Sequence, residues 1–355
     1  MNCTITHSES LKPIPDDVRK GFGNIFTDHM LLMDYAADIG WHNARILPFG
    51  EMPFTPATMC FHYGQEIFEG MRAFRTADGH ALLFRPLDHL RRLNCSCERM
   101  CMPPMNTEEV LSCLVTLLEV DQRWLKEWNV DSIYLRPMII ASEPVFGARP
   151  SKQYTFITTL TPGRPYAKEG PATKRIYVEK DQARTVKGGT GTAKCAGNYA
   201  ATFSAQAKAS AMGYNQVLWL DGVERKYCEE MGQMNIFFQI DGRLITPGLE
   251  SGTILDGITR RSILTLAKEI DIPAEERRIS IQEVMQAYQN GQLQEVFGCG
   301  TGASVAPVSE LFYNDTLMKI GDGTIGSNTM RIFRKLTDYQ RGRCDDVYDW
   351  TLRLW

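Results

Sequence analysis

The chain has 355 residues, too many for one ordinary hydrophobic core, and reads as two domains. Its 43% apolar and 23% charged residues are the balance of a soluble globular protein, and a formal net charge of −3 gives no electrostatic case for nucleic acid or an anionic membrane. No apolar run approaches a membrane span, and Met1–Lys20 is polar and proline-containing, without the apolar centre of a signal peptide.

In chain order, Phe68–Phe74 is a strand candidate, followed by the turn signal Asp78-Gly79 and a second strand at Ala81–Arg85. Pro86 starts a helix whose apolar positions Leu87, Leu90, Leu93 and Cys97 recur at helical spacing. Thr107 is the expected cap of a second helix with Val110, Leu111, Leu114, Leu117 and Leu118 inward. Strands follow near Ser132–Ser142 and Tyr154–Leu160. Three prolines and two glycines between Thr161 and Thr173 mark a domain boundary. The expected division is a small N-terminal domain over 1–165, a linker over 166–175 and a large C-terminal domain over 176–355. In the second part, strands are expected at Lys174–Glu179, Gln216–Leu220 and Glu295–Phe297. Asn235–Ile240 and Arg243–Thr246 form a hairpin around Asp241-Gly242. Helices are expected over Asn198–Met212, Ile258–Ile270 and Ile281–Gln289.

The ten cysteines show no Cys-x-x-Cys pairing; Cys95, Cys97 and Cys101 share one amphipathic helix. The six histidines do not cluster, so no metal site is expected, and the cysteines read as reduced thiols of a cytoplasmic protein.

The segment Gly188-Gly189-Thr190-Gly191-Thr192-Ala193-Lys194-Cys195-Ala196-Gly197-Asn198-Tyr199 sets one lysine in a loop of small residues before a helical run. Confined by packed backbone, a lysine loses hydration, its pKa falls, and its amine can attack an aldehyde. A flexible glycine loop with an incidental lysine fits the same segment. Leu255-Asp256-Gly257-Ile258-Thr259-Arg260 is a glycine turn opening a helix, where free amides and the helix dipole favour an anion; alone it is an ordinary helix start. The loop Gly298–Ser304 offers further amides and the Thr301 hydroxyl, and Arg85 offers a fork of donors for a phosphate. Glu230, ahead of an apolar strand, would need a cationic partner if buried; position alone does not separate it from Glu229, the solvated alternative.

Together these segments resemble a branched-chain amino acid aminotransferase of the pyridoxal-phosphate fold-type IV group (class IV aminotransferases). The resemblance runs from about Phe22 to beyond Tyr339. It is carried by Phe22–Met30, Phe68-Glu69-Gly70-Met71-Arg72-Ala73-Phe74, Leu83-Phe84-Arg85-Pro86, Tyr134-Leu135-Arg136-Pro137 and the Lys194 segment. Gln216–Leu220, Glu230–Asn235, Ile258-Thr259-Arg260 and Phe297–Thr301 complete it. It implies a mixed α/β, two-domain enzyme with cofactor and active site at the domain interface. It also implies reversible transfer of the amino group between leucine, isoleucine or valine and 2-oxoglutarate.

By the same resemblance Lys194 is the Schiff-base lysine, Tyr199 bonds the phenolic oxygen of pyridoxal 5′-phosphate, and Glu230 keeps its ring nitrogen protonated. Arg85, Ile258, Thr259 and Thr301 hold the phosphate. Thr301-Gly302 with Tyr134 takes the substrate's α-carboxylate, and Arg136 meets the distal carboxylate of glutamate. Phe22, Tyr63, Phe146 and Ala148 line an apolar pocket, with Tyr63 and Phe146–Ala148 supplied by the other subunit of a homodimer. Gln233 stands where many relatives have a small residue or threonine facing the substrate, which leaves donor preference open. Ala303 and Ala306 stand where some animal members have a redox cysteine pair, so no thiol switch is expected there. Two other readings remain: another enzyme of the same group, acting on aromatic, sulfur-containing or D-amino acids or working as a lyase, and a cofactor-binding protein without turnover.

Overall fold

The computed structural model describes residues 3–14, 23–126, 130–163 and 170–355. Phe22 and part of the expected linker lie outside them. Along the chain run β1 (Thr4–Ile5), β2 (His29–Ala36), β3 (Gly40–Pro48), α1 (Met59–Tyr63), β4 (Glu66–Phe68), β5 (Met71–Arg75) and β6 (Ala81–Phe84). Then come α2 (Pro86–Arg99), α3 (Thr107–Val120), α4 (Arg123–Lys126), β7 (Ser132–Ala141), β8 (Gln153–Pro162) and β9 (Lys174–Glu179). The next elements are α5 (Ala196–Ala200), α6 (Phe203–Ala211), β10 (Gln216–Leu220), β11 (Cys228–Met231), β12 (Met234–Ile240), β13 (Arg243–Thr246) and α7 (Ile258–Glu269). The chain ends with β14 (Ala274–Glu276), α8 (Ile281–Gln289), β15 (Leu293–Gly300), β16 (Ser304–Tyr313), β17 (Thr316–Lys319), α9 (Ser327–Gln340) and β18 (Thr351–Arg353). Helices and strands mix throughout, as the α/β expectation has it.

These elements divide into two compact units. Among the described residues, the first holds the chain up to Gly163 with Ala193–Ala196 and Asp338–Trp355; the second holds Gly170–Thr192 and Gly197–Thr337. The four residues around Lys194 therefore pack with the N-terminal unit, where the sequence reading puts them in the C-terminal domain.

The first unit is built on a sheet ordered β1-β3-β2-β8-β7-β5-β6-β18, with β4 also paired to β7. The apolar stripe of α3, from Val110 to Leu118, packs into the core of this unit with Leu31, Met33, Ile67 and Leu135. Its start is capped by Asn106, not Thr107: the Asn106 side chain accepts from the amides of Glu108 and Glu109 at 3.1 Å each. An asparagine at this place satisfies two of the helix's orphan donors, which leaves Thr107 as the first helical residue.

The strand read as one run from Phe68 to Phe74 is two, β4 and β5, because Glu69 and Gly70 break it. Gly70 is required for a close approach: a methyl group there would lie 1.9 Å from the Tyr134 hydroxyl oxygen on neighbouring β7. Similarly, Asn198–Met212 is two short helices, α5 and α6, rather than one.

In the second unit the order is β11-β10-β9-β16-β15-β12-β13-β14, with β17 on β16. Because β11 also pairs with β12, six strands close into a ring, which removes their edges. Ile176, Val178, Leu218, Ile236, Phe238 and Val296 are among the side chains that fill this unit's core.

Candidate active site

Lys194 is pinned through its backbone. Its N–H donates to Ser96 Oγ on α2 at 2.9 Å, and its carbonyl accepts from the Phe68 amide at 3.0 Å. Cys195 forms a β-bridge with Ile67 beside it. This anchors the chain at Lys194 and Cys195, directly after the glycine-rich stretch. Its Nζ lies 4.9 Å from the centre of the Phe68 ring. Burial and the neighbouring Arg92 guanidinium bring the Lys194 ammonium down from 10.5 to about 8, against the opposing pull of Glu69.

Tyr134 and Arg136 point from β7 into the same surroundings. The Arg136 guanidinium lies 4.7 Å from the Phe68 ring centre and donates to the Tyr134 hydroxyl at 3.2 Å. Its Nε is buried without a hydrogen-bond partner. A positive fork resting on aromatic faces, with one donor unused, suits a carboxylate that arrives only in part of a reaction cycle.

Arg85 adopts a left-handed conformation at φ 51° just before α2. Its Nε donates to Asp88 at 2.7 Å and its guanidinium lies over the Trp350 ring. Tyr63 is at the end of α1, where its hydroxyl accepts from the Gly147 amide at 2.9 Å; Phe146 and Ala148 are exposed on the loop beside it. Phe22 lies outside the described residues.

In the second unit Glu230 is buried at the end of β11. Its Oε1 accepts from the Leu255 amide at 2.7 Å and pairs with Arg184 at 3.3 Å. Leu255 precedes the turn into α7, whose first residues Ile258 and Thr259 are buried and whose N-terminus has no capping side chain. Gly257 is the residue before that helix; a Cβ on it would lie 1.9 Å from Asn235 Oδ1. Register places Glu230 opposite Asn235 and Asn235 opposite Cys299, two residues before the Thr301-Gly302 turn. Glu230, the amides opening α7 and the Thr301 turn are thereby gathered at one end of the strand ring. Gln233 is exposed in the two-residue turn between β11 and β12, after Gly232 at φ 57°. Tyr199 is half-buried on α5.

Glu229 is not solvated. It is 2% exposed, and its Oε1 accepts from the Thr253 hydroxyl while Oε2 has no partner. Burial raises its carboxyl above the usual range, with Thr253 and Arg184 opposing. Arg184, Asn235, Glu69, Arg92 and Ser96 also belong to these clusters, and sequence reasoning gives none of them a role. The available signal was the carboxylate Glu69 inside an apolar strand pattern, and His89, Arg92 and Ser96 at helical spacing on α2.

Among the described residues no group of three or more histidine, cysteine or acidic side chains is placed to hold a metal, and no helix is long and apolar enough to cross a membrane. All ten cysteines are free thiols.

Residues 66–311 match the model of the family described as amino-transferase class IV. The chain is 48% identical over 344 residues to branched-chain-amino-acid transaminase 1 of Bacillus subtilis (strain 168), covering 97% of this chain and 96% of that one. Among solved structures it is similar to the Escherichia coli branched-chain amino acid aminotransferase, with a TM-score of 0.77 and 25% identity over 92% of this chain and 99% of that one. It is also similar to the T.th. branched-chain amino acid aminotransferase solved with pyridoxamine 5′-phosphate, with a TM-score of 0.77 and 26% identity over 92% and 98% of the two chains.

Proposed function

The chain belongs to the class IV aminotransferases, and from that premise and the setting of Lys194 we infer its reaction. It transfers an amino group reversibly between leucine, isoleucine or valine and 2-oxoglutarate, giving branched-chain 2-oxo acids and glutamate. Relatives and structural neighbours alike carry the branched-chain name. The observation that carries the reading is a lysine amine fixed by its backbone, brought down to about 8, and set beside Tyr134 and the partly unpartnered Arg136.

The residues fit pyridoxal 5′-phosphate. Lys194 offers an amine to its aldehyde, Glu230 a buried carboxylate to its ring nitrogen, and Tyr199 a hydroxyl to its phenolic oxygen. Arg85, the uncapped amides of Ile258 and Thr259, and Thr301 suit its phosphate. When bound, this cofactor supplies a carbonyl that accepts the amino group and a ring that draws electrons from the substrate's α-carbon.

The chain's own residues do the rest. Lys194 Nζ takes the proton from the α-carbon and returns one in the reverse half of the cycle, a positioned acid–base step worth roughly 10²–10⁴-fold. An amine titrating near 8 serves both directions at neutral pH. Tyr134 and the Thr301-Gly302 turn hold the α-carboxylate. Arg136 meets the distal carboxylate of glutamate and rests on Phe68 when an alkyl side chain takes its place, so no charge is left buried and alone. Phe22, Tyr63, Phe146 and Ala148 form the apolar pocket, with Tyr63 and Phe146–Ala148 reaching the site of a second copy in a homodimer. The free thiols support a cytoplasmic setting.

The test is direct. Purified protein given leucine and 2-oxoglutarate should form glutamate, and borohydride reduction of the loaded enzyme followed by peptide mapping should tag Lys194. Absence of glutamate, or a tag on a different lysine, refutes the reading.

A further inference from the structure

Helix α2 carries His89, Arg92 and Ser96 at spacings of three and four residues, which puts them along one stripe. Ser96 holds the Lys194 amide. The other two close on Glu69, which lies in the turn between β4 and β5 and is 0% exposed. Arg92 grips it with both arms: Nε to Oε1 at 2.7 Å and Nη2 to Oε2 at 2.9 Å. His89 Nδ1 lies 2.9 Å from Oε2, and the Gly70 amide donates to the same oxygen at 3.0 Å.

The titratable and charged groups that face Lys194 come from three elements. They are His89 and Arg92 on α2, Glu69 in the β4–β5 turn, and Tyr134 and Arg136 on β7. Glu69 is the acid of this set. Burial pushes its carboxyl up, but Arg92 and His89 more than reverse that and leave it well below the usual range, so it is ionised at neutral pH. Burial depresses His89, which keeps the ring neutral. Left alone, a buried carboxylate beside an amine would lock it as ammonium, and an ammonium cannot take a proton from carbon. A guanidinium is permanently charged and matches a carboxylate with two parallel bonds, so it cancels that field without becoming a proton donor itself.

We propose that Arg92 is a positioning residue for the reaction: clamped on Glu69, it offsets the carboxylate's charge at Lys194 and so makes the lysine's ammonium easier to deprotonate. The inference rests on the aminotransferase reading for the work that amine performs, but not for its charge.

Trace acetylation of the protein stripped of cofactor, with the Lys194 peptide quantified by mass spectrometry across pH, reads the charge without turnover. Arg92→Met removes the positive charge at similar length and should cut Lys194 labelling at pH 7 about tenfold. Glu69→Gln removes the opposing charge and should raise labelling about threefold to fivefold. Arg92→Lys keeps the charge and should stay within about threefold of the wild type. Opposite signs for the two charge-removing variants are the signature that general loosening of the fold cannot produce. If both variants shift labelling the same way, or both overlay the wild type, the proposal fails. Should Arg92→Met not fold, the rise in Glu69→Gln and the retention in Arg92→Lys decide it, and either one missing overturns it. Opposite-signed shifts in a protein that makes no glutamate would sink the aminotransferase reading and leave this one standing.

Discussion

A lysine held at about 8 is a stability liability as well as a reagent. The folded protein binds this proton less tightly than the unfolded chain does. The penalty is therefore complete below about pH 8, shrinks as pH rises, and is gone above the lysine's ordinary 10.5. Lys194→Met should stabilise the cofactor-free protein by about 1–3 kcal/mol at pH 7, with the gain fading between pH 8 and 10.5. Urea unfolding at pH 7 and pH 10 measures this, and a variant less stable than the wild type at pH 7 contradicts it. Gln233 is exposed at the tip of the β11–β12 turn, and we propose that it bears on donor choice. Gln233→Thr should reorder leucine, methionine and phenylalanine as donors by about 1–3 kcal/mol in kcat/KM while leaving cofactor binding unchanged. An unchanged ranking removes Gln233 from the substrate's surroundings.

The N-terminal end of α7 shows what an element contributes. Asn235 donates to the Leu255 carbonyl at 3.0 Å, Leu255 donates to Glu230, and Gly257 leaves room for the Asn235 carboxamide oxygen. Gly257→Ala would force Asn235 aside and misplace the amides of Ile258 and Thr259. Pyridoxal 5′-phosphate should then bind about tenfold more weakly, the scale of one or two displaced charge-assisted hydrogen bonds. Equilibrium dialysis measures it, and unaltered affinity would take these amides out of the phosphate site. The glycine before this helix, β9, β10, α8 and the start of α2 could be read from the sequence because local pattern and final structure agree there; α2 ends at Arg99, short of Cys101, which stands at φ 53°. Other elements hide for physical reasons. Strand β2 is buried on both faces over His29–Met33, so it shows no alternation. Strand β16 contains Pro307, which argues against a strand although it pairs with Phe297 in the ring. Ile332, Leu336 and Tyr339 give α9 a helical spacing that a chain-order reading leaves unused. At the candidate site, Lys194 is legible as a motif, and Glu230 only through the family resemblance. Arg92 and Arg184 are not, because each is defined by a carboxylate distant in sequence that it neutralises.

At the scale of the molecule the remaining question is what covers the aromatic surface around α1. Phe61 is 61% exposed, Phe146 73% and Tyr63 44%. The Phe146 ring stands edge-on to His62 with centres 4.8 Å apart, and Phe61 meets Phe54 at 6.2 Å. Aromatic side chains of this size, clustered and uncovered, mark an interaction surface. The homodimer proposed above gives them both a cover and a task, since Tyr63 and Phe146 then complete the apolar pocket of the other copy. Sedimentation should show twice the 40.2 kDa chain mass at micromolar concentration. Replacing Phe61 and Phe146 together with lysine puts like charges on both sides of a self-complementary contact, which costs several kcal/mol across a two-fold axis. The double variant should sediment as a monomer and lose at least about tenfold in kcat/KM for leucine, because the pocket loses its far wall. Lys194 in that monomer should still be tagged by borohydride, since its backbone anchors at Ser96 and Phe68 belong to its own chain. A wild-type protein that sediments as a monomer, or a monomeric variant with undiminished leucine turnover, would show that the aromatic surface serves another purpose and that one chain holds the whole pocket.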